Sequence, residues 1–317
     1  MAPLCWAFTG VLQLITEWHK KRDSFDQGCV PALVRELWRG DPASLRWVSQ
    51  DYNIVFRFEA DGRGYYLRIC HTSLHTLPEA RQVMGFLRFL DAENVPVGAP
   101  IPSVNGEFIE ALGDGYFAAA QKEAPGQTME AFMLDVSVYE AWGKSLGKLH
   151  AASRRYRPDP AIPYEFPTVQ RFWRNIAPTV AGASAEIRRV YEELSGYMAG
   201  LPRRDYGLIH GDYRPGNVIW DGQTARTIDF DEPNYHWYIA DVCRALLELW
   251  DQPADARRKF RQAFMRGYMR EHQIDEWWVS QLPYFAQHRA LLMHAWDVQE
   301  GGCWGEVVKW VVERVAW

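Results

Sequence analysis

Residues 208–231 constrain this chain more than any other stretch: Leu-Ile-His-Gly-Asp-Tyr-Arg-Pro-Gly-Asn-Val-Ile-Trp-Asp-Gly-Gln-Thr-Ala-Arg-Thr-Ile-Asp-Phe-Asp. Val218-Ile219-Trp220 reads as a short strand, Asp221-Gly222 as a turn and Arg226-Thr227-Ile228 as the returning strand. Pairing Trp220 with Arg226 across a loop of about five residues sets Asn217 opposite Asp229 at the open end of the hairpin. Asp212 lies just upstream, in a loop kept irregular by Pro215-Gly216. One end of one hairpin is thus expected to present two carboxylates and an amide oxygen to the same small volume.

Phosphoryl transfer from a nucleotide needs such a set. Its chemistry is mostly positioning and charge neutralisation, so a protein must supply Mg²⁺ ligands and a group that orients the attacking hydroxyl. Mg²⁺ prefers hard oxygen donors, which Asn217 and Asp229 provide, while phosphates and waters complete its shell. Asp212 would accept or orient the acceptor proton. The order His210-Gly211-Asp212, four residues, Asn217, then Ile228-Asp229-Phe230-Asp231 parallels the kinase catalytic loop and its later metal-binding Asp.

This stretch resembles the Brenner-type motif of the aminoglycoside phosphotransferase and choline kinase-like family, which shares the protein-kinase fold. The resemblance implies an α+β, two-lobed protein-kinase-like fold. Residues 1–126 would form an antiparallel-sheet, nucleotide-binding lobe, and residues 127–317 a mainly helical lobe for catalysis and acceptor binding. It also implies ATP or GTP as donor, Mg²⁺ on Asn217 and Asp229, and Asp212 as the catalytic base. His210 would brace the catalytic loop, and Asp241 would brace it from the following helix.

The order of elements agrees. Residues 4–38 read as helical, and three strands follow at 46–49, 53–58 and 65–69, with Asp61-Gly62-Arg63-Gly64 as a turn. A helix over 78–92 buries Val83, Phe86, Leu87 and Leu90. Strands are expected at 95–97, 102–104, 108–111 and 116–121, ending in Gln121-Lys122-Glu123-Ala124. By the resemblance this is the hinge, where Gln121, Glu123 and Ala124 meet the adenine edge, and Pro125-Gly126 closes the lobe. Helices are expected over 130–154, up to Gly200, and over 254–272, 276–298 and 304–316, with 232–237 as a loop.

Two positions depart from the kinase pattern. The first hairpin loop, Ser49-Gln50-Asp51-Tyr52-Asn53, has no glycine, and the third strand carries Arg68 where a phosphate-binding Lys would stand. Arg grips phosphate oxygens bidentately, so Arg68 is the expected phosphate ligand. The helix Glu that would pair with it is missing near Val83. Glu79, one turn earlier, either replaces it or is a solvated first-turn carboxylate.

Composition narrows the partners. A net charge of −5 gives no invitation to nucleic acid or an anionic membrane surface, and suits a cationic small-molecule acceptor better than an anionic one. The five cysteines are odd in number and form no C-x-x-C pair, so reduced thiols in a cytoplasmic protein are expected. No apolar run is long enough to span a membrane. Three functions remain: phosphorylation of a small-molecule hydroxyl, a pseudokinase that binds nucleotide or metabolite, and phosphorylation of a protein side chain. The short run from Asp229 to Asp241 leaves no recognisable activation loop, against the last.

Overall fold

The computed structural model describes residues 11–299. The expected helix at 304–316 lies outside them. The chain divides into two compact units. One comprises the described residues up to Pro125 together with Tyr156–Glu165; the other comprises Gly126–Arg155 and the chain from Phe166 onward.

In the first unit, α1 (Val11–Ser24) and α2 (Val30–Trp38) are separate helices, not one. Asp26 accepts a hydrogen bond from the Gly28 N–H, opening a 3₁₀ turn, and Pro31 starts α2 where its missing N–H costs nothing. Strands β1 (Asp41–Gln50), β2 (Ile54–Ala60) and β3 (Arg63–His71) form an antiparallel meander. Helix α3 (Leu77–Ala92) begins with a capping box between Thr76 and Glu79. Glu79 is buried and also faces His75 at 3.0 Å, so it is not a solvated carboxylate.

The sheet is completed by β4 (Pro100–Ile101), β5 (Glu110–Gly113) and β6 (Tyr116–Lys122), in the order β1-β2-β3-β6-β4, with β5 also on β6. The expected strands at 95–97 and 102–104 do not form. Pro96, Pro100 and Pro102 remove ladder donors there, which leaves a two-residue strand. The segment from Tyr156 returns to this unit: Tyr156 packs on Phe86 and Phe89, and Gln82 donates to the Asp159 carbonyl.

The second unit is mostly helical. After β7 (Gln127–Thr128) and a 3₁₀ turn, α4 (Val136–Ser153) starts six residues later than expected. Asp135 stops it there by capping the Ser137 N–H. Helices α5 (Val169–Ala181) and α6 (Ala185–Ala199) lead into β8 (Tyr206–Ile209), and then the hairpin β9 (Val218–Trp220) and β10 (Ala225–Thr227). β11 (Asn234–Trp237) occupies the expected loop and pairs antiparallel with β8. Its two-residue alternation is too short to stand out from a loop in sequence.

Helices α7 (Ile239–Leu246), α8 (Ala254–Glu271), α9 (Glu276–Ser280) and α10 (Leu282–Gln299) finish the described chain. α4 and α8 cross backbone to backbone: a Cβ on Gly143 would lie 1.9 Å from the Phe264 carbonyl oxygen, and one on Gly267 1.8 Å from that of Glu140. Around this crossing Tyr139, Trp142, Leu146, Phe264 and Tyr268 are fully buried. The core therefore stands directly behind the loop that follows β8.

Candidate active site

The loop leaves β8 through Gly211, whose φ is +90°. A Cβ there would sit 2.1 Å from the Glu232 carbonyl oxygen, so only glycine fits this turn. Asp241, in the first turn of α7, accepts the His210 N–H at 2.8 Å and the Gly211 N–H at 3.0 Å. Its Oδ2 also meets His150 Nε2 at 3.1 Å, while His150 Nδ1 meets the Tyr268 hydroxyl. Asp241 thus braces the loop, and His150 is a buried packing residue behind it.

His210 braces the other side. Its Nδ1 accepts the Asp212 N–H at 3.2 Å and its Nε2 faces the Ile228 carbonyl oxygen at 3.0 Å. Those partners assign the proton to Nε2. Both ring nitrogens are spent on the main chain, so His210 has structural work only.

Asp212 is 4% exposed and its carboxylate is surrounded by cations. Oδ1 accepts from Arg244 Nε at 2.7 Å and from Arg289 Nη2 at 2.9 Å; Oδ2 accepts from Arg214 Nε and Asn217 Nδ2, both at 3.2 Å. Burial alone would push this carboxyl up, but Arg289, Arg244 and Arg214 outweigh it and hold the group at about 2. Arg289 also donates to the Gly211 carbonyl oxygen at 3.0 Å, and Arg244 to Glu248 at 3.1 Å.

Asn217 turns its amide nitrogen toward Asp212, reaching its carbonyl oxygen at 2.9 Å as well. The hairpin register differs by one residue from the sequence expectation. Trp220 pairs with Ala225 and Val218 with Thr227, and the Ile228 N–H donates to the Asn217 carbonyl. Asn217 therefore faces Ile228, and Asp229 follows one residue on, in the left-handed region at φ +66°. That conformation is uncommon for a residue with a Cβ, and Asp tolerates it better than most.

The other expected residues belong to the first unit. Arg68 stands on β3 between Val55 and Ala119, and Gln121 on β6 between Tyr66 and Pro100. Glu123 has structural commitments that the sequence did not signal. Its carboxylate takes a bidentate fork from Arg57 at 2.8 and 2.9 Å, and its N–H donates to the Gly64 carbonyl. Ala124 follows it, half-buried.

Beside Asp212 the second unit holds a cavity of about 50 Å³, lined in part by Gly211, Glu232, Asn234, His236, Arg244 and Arg289. Burial first, then the charges of Asp212, Asp229 and Asp231, push the Glu232 carboxyl well above the usual range, against the pull of Arg289. His288, which also lines the cavity, is held at about 3 by burial and by Arg289. Local sequence gives little sign of this wall. Glu232 and Asn234 sit in what reads as a loop, and Arg289 comes from a helix 77 residues beyond Asp212.

Asp212 thus accepts a hydrogen bond from the Asn217 amide, and Asp229 follows at the end of the same hairpin. The chain belongs to the phosphotransferase enzyme family, whose pattern matches residues 44–278. Amicoumacin kinase of Bacillus subtilis (strain 168) is 26% identical over 265 residues, 79% of this chain and 78% of that protein. Among solved structures, amicoumacin kinase hAmiN in complex with AMP-PNP, Ca²⁺ and Ami superposes with a TM-score of 0.80 at 22% identity, covering 90% of this chain and 89% of that one. A microcompartment-associated aminopropanol kinase superposes with a TM-score of 0.70 at 20% identity, covering 90% and 93%. The fold is thus the two-lobed, protein-kinase-like one, with an antiparallel-sheet N-terminal lobe and a mainly helical C-terminal lobe.

Proposed function

We propose that this protein moves the terminal phosphoryl group of ATP or GTP to a hydroxyl of a small, cationic acceptor, with Mg²⁺. The observation that carries the reading is Asp212, buried yet ionised beside a cavity and hydrogen-bonded to Asn217. The kinases it resembles support the reading, since one was solved with an ATP analogue and a divalent cation.

In this reading residues 1–126 bind the nucleotide and residues 127–317 carry catalysis and the acceptor. Arg68 would grip phosphate oxygens, and Gln121, Glu123 and Ala124 would meet the base. Because the Glu123 carboxylate and N–H are already committed, its carbonyl oxygen is the group it could offer. Asn217 and Asp229 would hold Mg²⁺. Among the described residues no cluster of three or more His, Cys, Asp or Glu side chains could hold a metal. Two hard oxygen donors fit an ion that keeps waters and substrate phosphates in its shell. When bound, the ion would neutralise charge on the transferring group.

Asp212, held at about 2, is a weak proton acceptor and a strong hydrogen-bond acceptor. It would orient the attacking hydroxyl and receive the proton late, as a loose transition state requires. Asp212→Asn keeps the shape and removes the charge. We expect its transfer rate to fall by about 10³-fold or more while Mg²⁺–ATP still stabilises the protein. Full activity in Asp212→Asn would refute the assignment. A panel of hydroxylated metabolites beside protein acceptors tests the acceptor class, and transfer only to protein would overturn it.

A further inference from the structure

The Asp212 carboxylate is fully occupied by donors from its own chain. A carboxylate offers about four acceptor positions, two on each oxygen. Arg244 and Arg289 fill those of Oδ1, and Arg214 Nε and Asn217 Nδ2 fill those of Oδ2. A hydroxyl that Asp212 is to orient must therefore displace one of these four.

Three of them are anchored by a second bond. The Arg244 side chain is 5% exposed and also holds Glu248; that of Arg289 is 15% exposed and also holds the Gly211 carbonyl. Asn217 Nδ2 also donates to the Asp212 carbonyl at 2.9 Å. Arg214 differs. Its side chain is 28% exposed, its bond to Oδ2 is a long one at 3.2 Å, and its ion pair with Glu130 is loose, at 3.6 Å. The Glu130 side chain is 58% exposed, and a pair of that kind exchanges readily.

The guanidinium also has room to move. A Cβ on Gly216 would lie 2.5 Å from Arg214 Nη1 and 2.8 Å from Glu130 Oε1, so both side chains use the space that this glycine leaves open. Arg214 can pass from one carboxylate to the other without crossing a side chain at that position.

We infer that Arg214 is a displaceable mask on the Asp212 carboxylate: in the free protein it fills the Oδ2 position that the attacking hydroxyl needs, and it withdraws to Glu130 when an acceptor enters. The inference rests on the phosphotransfer reading and adds a positioning residue that suppresses transfer to water. With the mask in place, a water beside the nucleotide finds no oxygen to orient it. With the mask withdrawn, the hydroxyl oxygen bonds the terminal phosphorus as the bond to the bridging oxygen breaks. That bond's electron pair leaves on the nucleoside diphosphate, and the hydroxyl proton passes to Asp212 Oδ2.

Water itself is the probe acceptor that tests this. Release of inorganic phosphate from Mg²⁺–ATP and Mg²⁺–GTP would be followed on the full-length protein with no other acceptor added. The rate scales with the unmasked fraction, so Arg214→Met should raise it about fivefold or more, with Arg214→Gln as the second variant should the first not fold. Glu130→Gln weakens the alternative berth and should lower it about twofold. Opposite signs are the signature, because a merely structural pair would move both variants the same way. A fall or no change on removing Arg214, or no fall in Glu130→Gln, would overturn the inference.

The mask is also read without turnover, from the Arg214 Nε–H resonance in nitrogen-15 NMR, identified by its loss in the Arg214 variant. We expect it to shift in Asp212→Asn and in Glu130→Gln; a resonance that answers to neither carboxylate overturns the inference. Thermal stabilisation by Mg²⁺–nucleotide on the same samples separates the two levels. A resonance that answers to both carboxylates without nucleotide binding would sink the phosphotransfer reading and keep the exchange of Arg214 between them. Nucleotide binding with hydrolysis indifferent to Arg214 would sink the mask alone.

Discussion

At the residue scale, Asp212 is poised by its arginines more than by its burial. Arg244 and Arg289 converge on Oδ1 from α7 and α10, and the second of them also ties Gly211 in place. Removing one cation leaves a buried carboxylate with fewer donors and a freer rotamer. Arg289→Gln should lower the transfer rate on the order of 10²-fold through misplacement of Asp212. It should also raise the Asp212 pKa, visible as an upward shift of the acidic limb of the rate profile. A rate and an acidic limb both unchanged would show that Arg289 only fills space. Asp212, Asn217 and Asp229 were legible in the sequence because their spacing is set by one short hairpin. Arg244 and Arg289 were not, because nothing local ties a helix residue to a loop far upstream.

At the scale of elements, the site depends on how closely α4 and α8 pack behind it. His150 on α4 and Tyr268 on α8 meet each other, and His150 meets the Asp241 that braces the loop. Gly267→Val would push a side chain into the Glu140 carbonyl and force the helices apart. We expect a loss of about 3 kcal/mol or more in urea unfolding, with weakened acceptor turnover as the brace shifts. Wild-type stability in that variant would mean the crossing can relax at no cost. Gly143 on α4 and Gly267 on α8 admit this approach because neither carries a Cβ. The hairpin was legible in the sequence, but its register slipped by one because a four-residue connection, Asp221 to Thr224, replaced the longer loop expected. β11 escaped notice because its pairing with β8 is a long-range contact, set by tertiary context and not by local pattern.

At the scale of the whole molecule, buried titratable groups set the pH range of the fold. Burial first, and then neighbouring His150 and Arg154 for His272 and Arg289 for His288, depress these imidazoles from 6.5 to about 3. Their folded pKa values lie below the unfolded ones, so protonation favours the unfolded chain. Their contribution is complete above about 6.5 and is lost as pH falls toward 3. Asp212, depressed from 3.8 to about 2, adds its own loss only at the acid end. Glu232 runs the other way, costing stability as pH rises above its ordinary range. The unfolding free energy from urea melts should therefore be lower at pH 4 than at pH 7, with Glu232 offsetting part of the loss, and His272→Gln should flatten the slope. A flat profile over that range would contradict the buried, neutral state of these histidines.

At the same scale, the proposed Mg²⁺-nucleotide site that would serve Asp212 can be tested directly. The most direct measurement is thermal stabilisation by ATP and by GTP, with and without Mg²⁺, on wild type and on Asp229→Ala. A ligand that binds only the folded state, at about 100 times its dissociation constant, adds about 2.7 kcal/mol. We expect a rise in Tm that needs Mg²⁺ and disappears in Asp229→Ala. No rise with either nucleotide at saturating Mg²⁺, or a rise that Asp229→Ala leaves intact, would contradict it.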